Sequence, residues 1–157
     1  CEIYNTTSGV PWNCRPYSGI ILDELAAQGY VLPCMAADDA HQYTGDETKS
    51  YLMVQADELS RDAILEAIAQ GRFYAFQGPR FWIEKKDNSL IVHSTPVKEI
   101  VFFTDAVWSD DRATVGECVE EAVYEIQPHE TFVRVELKDA VGNRAWSNFY
   151  LTGKAVL

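Results

Sequence analysis

Basic residues are scarce in this chain: 13 Lys and Arg stand against 24 Asp and Glu, giving a net charge of −11 over 157 residues. That balance repels phosphate backbones and anionic headgroups, so no strong binding to duplex nucleic acid is expected. A small phosphorylated substrate stays compatible with it, because bound cations bring their own positive charge. No apolar run reaches the roughly 20 residues that span a bilayer. No basic segment leading into an apolar stretch opens the chain. The expectation is a cytoplasmic protein with no membrane partner. The four cysteines, Cys1, Cys14, Cys34 and Cys118, never fall at C-x-x-C spacing, which argues against a zinc ribbon. Cys34 sits in an apolar run and reads as a small buried hydrophobe, in keeping with thiols in a reducing compartment. Nothing resembles a Ser-His-Asp triad, a phosphate-cradling Gly loop or a dinucleotide fingerprint. Asp110-Asp111 and the run Glu117 to Glu121 lack the spaced oxygens and central Gly of a calcium loop, and read as solvated faces.

What is present supports a folded protein. A hydrophobic content of 47% with 12% aromatics is enough for a core in one average domain or two small ones. The chain opens on Cys1 without an initiator Met, and Glu2-Ile3-Tyr4-Asn5 reads as a strand already under way. A lipoprotein with an acylated first cysteine needs a flexible tether there, so a chain cut from something longer is the preferred reading. Asn5-Thr6-Thr7 matches a glycosylation sequon and is read as a chance match.

The periodicity predicts alternating short strands and helices in the first half. A polar loop covers Thr6 to Pro16. A helix follows from about Ser18 to Gln28, with Ile21, Leu22, Leu25 and Ala26 on one face and Gly29 as its stop. A buried strand at 31–37, a second at 51–56 and a helix at about 61–70 come next. Ser60 caps that helix, Ile64, Leu65 and Ile68 form its stripe, and Gly71 ends it. The pattern changes near Gly78-Pro79: a strand at 72–77 leads up to it, and beyond it only strands are expected, at 80–85, 89–94, 98–104, 120–126, 131–138 and 145–151. Phe132 to Leu137 alternates as a strand with one buried face should. Trp108, Trp146 and Phe149 are expected to pack this half, and Arg80 to sit on an exposed strand edge.

Asp38-Asp39-Ala40-His41 carries the chemistry. It follows the apolar run ending at Ala37, and in an extended backbone Asp39 and His41 point alike while Asp38 points away. A carboxylate beside an imidazole suits Mn, Fe or Zn. His93 and His129 read as surface residues, so two ligands are all the sequence offers.

The ordered set Glu2-Ile3-Tyr4-Asn5, Asp23-Glu24-Leu25 to Gly29, Ala37-Asp38-Asp39-Ala40-His41, Gly71-Arg72-Phe73-Tyr74-Ala75, Gly78-Pro79, Val133-Arg134-Val135 and Ala145-Trp146-Ser147-Asn148 resembles the C-terminal part of a PHP-domain protein. That is the polymerase and histidinol phosphatase superfamily of metal-dependent phosphoesterases. The resemblance covers nearly the whole chain. It implies an α+β / α/β fold: residues 1–77 as the C-terminal segment of a distorted (β/α)7 barrel, and residues 78–157 as a β-sandwich domain. It implies Asp39 and His41 as ligands to divalent Mn, Fe or Zn in the intact protein, with Glu2 near the site. The family's opening H-x-H, its acidic ligand and its middle histidines have no counterpart here. The implied function is hydrolysis of a phosphate ester, from a small phosphorylated substrate or nucleotide, by a metal-activated water. The chain alone is expected to lack a complete metal site and catalytic residues, and to be inactive. Exposed barrel edges would favour self-association. The alternative is a non-catalytic β-sandwich binding or scaffold module.

Overall fold

The computed structural model describes residues 1–10, 13–41 and 45–153. Two residues of the expected loop at 6–16 thus lie outside the described part. Its elements run β1 (Glu2–Asn5), a 3-10 turn (Thr7–Gly9), α1 (Gly19–Ala27), β2 (Met35–Ala37), β3 (Tyr51–Val54), α2 (Arg61–Ala69) and β4 (Phe73–Phe76). The strands β5 (Phe81–Lys86), β6 (Ser89–Thr104), β7 (Ala113–Glu125), β8 (Phe132–Lys138), β9 (Arg144–Trp146) and β10 (Tyr150–Leu151) follow. No helix among the described residues is long and apolar enough to cross a membrane.

The expected α/β class, with part of a (β/α)7 barrel in residues 1–77, is overturned. Among the described residues parallel pairing is confined to β1 and β2, which α1 connects. Strands β3 and β4 are antiparallel neighbours despite the helix between them, and β4 continues antiparallel into β9. They belong to an eight-stranded, mostly antiparallel sheet in the order β3-β4-β9-β8-β6-β5, with β7 also on β6 and β10 on β8. The physical reason is that a short buried strand has the same apolar pattern whichever way its neighbour runs. Only the cross-strand partners decide the direction, and here Tyr51 meets Phe76 with ring centroids 4.8 Å apart.

Local chemistry sets the element ends. Gly29 lies at φ +88°, its N–H bonds the Ala26 carbonyl and that of Tyr30 bonds Leu25, which closes α1 in a Schellman turn. Ser60 Oγ accepts from Ala63 N at 3.2 Å and starts α2. The segments expected as two strands at 89–94 and 98–104 are one strand, β6, whose register slips between His93, Val97 and Glu99. Pro96 falls inside that slip; it cannot donate to a ladder, so the strand bulges there instead of ending. The half of β6 before the bulge pairs with β5, and the half after it with β8.

The main core gathers Leu90, Val92, Ile100, Phe102, Val135 and Leu137. A second core of Ile3, Leu22, Cys34, Ala36, Ala75 and Trp146 seats the β1–α1–β2 unit against β4 and β9. Because of that second layer, β8 is buried on both faces from Phe132 to Leu137, not on one as its alternation suggests. Its polar positions therefore become a buried ionic cluster. Arg134, with no exposed surface, forks onto Asp23 of α1 at 2.6 and 2.7 Å and lies 4.2 Å from the Phe103 ring centroid. Glu136 accepts from Tyr17 Oη at 2.6 Å and pairs with Arg134 and Arg144. Trp146 is fully buried, whereas Trp108, expected to pack, is exposed. On the helices, the expected core positions Ile21 and Leu65 face outward, whereas Leu22 and Ala26 are buried as expected and Ala67 is the buried residue of α2.

Candidate functional site

Among the described residues the β1–α1–β2 unit is the one place where two parallel strands end side by side, with Asn5 opposite Ala37. Backbone pairing continues past the strands, from Thr6 N to the Ala37 carbonyl and from Thr7 N to the Asp38 carbonyl. The chain then turns at Asp39, whose φ of +53° is left-handed. Asp tolerates that region better than most residues, because its short side chain can bond locally. Residues 38–41 are thus not extended, and the expected alternation of side chains is replaced by a turn.

The turn separates the two aspartates. Asp38 Oδ1 accepts from Ser50 N at 2.6 Å, Lys49 N at 3.0 Å and Thr6 Oγ1 at 3.4 Å, so its carboxylate ties the following loop to β1. Its role is structural. Asp39 is exposed, and its Oδ2 accepts from Asn5 Nδ2 at 3.3 Å. The same amide donates to Glu2 Oε2 at 3.1 Å, so Asn5 spans two carboxylates. Asn5 Oδ1 accepts from Ser8 N at 2.9 Å, which fixes which end of the amide faces the acids. Glu2 was expected near the site; Asn5 is the member that the sequence gave no role, and its position at the end of β1 was its only signal.

His41 folds back on this turn. Its Nδ1 lies 2.6 Å from the Asp39 carbonyl oxygen, which also accepts from Thr7 Oγ1 at 2.9 Å. A carbonyl can only accept, so Nδ1 is the donor here, and in the neutral ring Nε2 is then the nitrogen with the lone pair. Metal-binding histidines are commonly oriented in this way, the other ring nitrogen donating to a backbone carbonyl. Asp39 and His41 are accordingly brought together, both solvent-accessible, with a carboxylate and an imidazole nitrogen available.

Other candidates do not join them. His93 is half-buried in β6, stacked on Trp82 with centroids 5.1 Å apart and 3.2 Å from Glu121 Oε2. His129 is exposed in the turn before β8, and Arg80 is exposed just before β5. Phe73 to Phe76 form β4, with Phe73, Ala75 and Phe76 in the interior. Among the described residues no group of three His, Cys, Asp or Glu side chains converges tightly enough to hold a metal ion. Comparison of the chain with protein-family models, curated proteins and solved structures finds no match.

Proposed function

We propose that this chain is the C-terminal portion of a metal-dependent phosphoesterase of the polymerase and histidinol phosphatase type. It contributes Asp39 and His41 to a centre whose remaining ligands come from outside the chain. The observation that carries the reading is the turn at Asp39: His41 Nδ1 lies 2.6 Å from the Asp39 carbonyl oxygen, which in the neutral ring leaves Nε2 with its lone pair. The Asp39 oxygens and His41 Nε2 would hold Mn, Fe or Zn. When bound, such ions polarise a phosphoryl oxygen and lower the pKa of a bound water. Asn5 holds the Asp39 carboxylate in place and keeps Glu2 beside it. Asp38 anchors the loop at residues 49–50 under the turn.

The substrate class is a small phosphate ester; the acidic surface disfavours long polyanions. In the full-length protein that contains this segment, Asp39→Ala and His41→Ala should each lower metal stoichiometry and phosphate-ester turnover together, on the order of a hundredfold in rate. Unchanged metal content and rate in both variants would sink the assignment.

A second reading, a non-catalytic sandwich module, is favoured by the incomplete donor set. The absence of both bound metal and phosphate-ester turnover in the purified full-length protein would select it.

A further inference from the structure

At the far end of β3 from Asp39 lies a groove of about 600 Å³. Ser50, just before β3, donates its N–H to Asp38, whereas Val54, at the strand's end, and Gln55, just beyond it, line the groove. The strand rise of about 3.3 Å per residue puts these ends roughly 13 Å apart. The groove therefore stands apart from the proposed metal ligands, and nothing about it rests on them.

Its volume falls within the usual range for small-ligand sites. Among the described residues no charged side chain lines it. One wall is aromatic: the Tyr74 and Phe81 rings lie 4.4 Å apart at 51°. Phe149, on another wall, is held edge-on by Phe132 with centroids 5.0 Å apart. An uncharged, flat ligand is the one such walls favour.

The polar groups in the groove divide into committed and uncommitted. Asn148 is fully used, donating to the Gly71 and Phe73 carbonyls and accepting from Cys34 N. Ser147 Oγ accepts from Val135 N and donates to the Asn148 carbonyl. The Tyr150 hydroxyl and the exposed Gln55 amide have no hydrogen-bond partner among the described residues, and burial raises the Tyr150 pKa above its ordinary value. A third uncommitted pair comes from the sheet edge. Thr95 N bonds the Arg80 carbonyl, so by antiparallel alternation Trp82 faces β6 while Phe81 and Ile83 turn their backbone groups to the open side. Ile83, which lines the groove, thus keeps its N–H and C=O on that open side.

We propose that this groove binds a neutral, planar heteroaromatic ring of about purine size. Its donor–acceptor edge is read by the Ile83 backbone, and its substituents by Tyr150 and Gln55. A sugar is disfavoured, since it needs many polar partners and most of those here are taken.

Calorimetric titration of the 157-residue chain with adenosine tests this, with methyl glucoside as the comparison. Adenosine should bind saturably in the micromolar-to-millimolar range and about tenfold more weakly to a Gln55→Ala/Tyr150→Phe double variant, and the glucoside should not bind. His41→Ala should leave adenosine binding unchanged. In the unaltered chain, the Ile83 amide resonance should shift on adenosine addition, a readout that holds even if the double variant folds poorly. No saturation by adenosine, a still Ile83 amide, equal binding of the glucoside, or loss of binding with His41→Ala would each overturn the proposal.

Discussion

Arg134 shows how a single side chain ties distant parts of the sequence together. It is fully buried yet charged, and Asp23, Tyr17 and Glu136 all meet it with hydrogen bonds at 3.4 Å or less. Removing one member of a buried ion pair leaves its partners charged and unsatisfied, a cost of about 3–5 kcal/mol. Arg134→Met should lower urea-measured stability by about that amount. A loss under 1 kcal/mol would mean that Asp23 and Glu136 find water without it. Cys34 gives a residue-scale prediction in pH. Burial pushes its thiol up to about 11 from an ordinary 9. A raised pKa means folding favours the neutral thiol. Its contribution is therefore complete below pH 9 and is lost as pH rises through the 9–11 window, by about 2–3 kcal/mol over two units. Cys34→Ala should flatten the stability curve in that window by the same amount, as followed by denaturant melts from pH 8 to 11. Ellman titration of the native protein should find Cys1, Cys14 and Cys118 quickly and Cys34 only on unfolding, since the first three are exposed and the last is buried.

Among the elements, both helices obey their terminal residues more closely than their apolar stripes. Ser60→Ala removes the cap on Ala63 N and should cost about 1 kcal/mol, whereas Ser60→Asp, which keeps an acceptor at the helix N-terminus, should cost less. Chemical denaturation of the two variants decides it, and equal losses would deny the cap its role. Capping was legible in the sequence because it depends on residues within one turn of the helix end. Which face each helix buries was not, because Ile21 and Leu65 are as apolar as Leu22 and Ile64. Only the second core, built from β1, β2, β4 and β9, selects Leu22 and Ala26. The same limit hid the continuity of β6. A proline between two apolar runs reads as a boundary, and the partners on both sides turn it into a bulge.

At the scale of the whole molecule, strand directions were the least legible feature. Most strands after Gly78 lie near where turn residues place them, yet the sequence could not say that β3 and β4 would join their sheet instead of extending a parallel barrel. Trp146 is central to that arrangement, stacked against Tyr4 at 5.4 Å and Tyr17 at 6.4 Å while β9 pairs with both β4 and β8. Trp146→Ala should cost about 3–5 kcal/mol. It should also expose the first 40 residues to protease before the sheet; digestion of both parts at equal rates would contradict that coupling. The candidate site follows the same pattern. Asp39 and His41 stood out as residue types, but the left-handed turn that brings them together and the Asn5 bridge to Glu2 depend on β1 and β2 being neighbours.

The most direct measurement of the proposed metal role is Mn2+ titration of the 157-residue chain followed by paramagnetic broadening of assigned amide resonances. Two ligands without their partners bind weakly, so the broadening should develop at millimolar Mn2+. It should centre on residues 39–41 and the adjacent Asn5, and it should vanish in the Asp39→Asn/His41→Ala double variant. Broadening centred on another acidic segment such as Glu120-Glu121, or left unchanged by the double variant, would contradict the assignment of Asp39 and His41 as metal ligands.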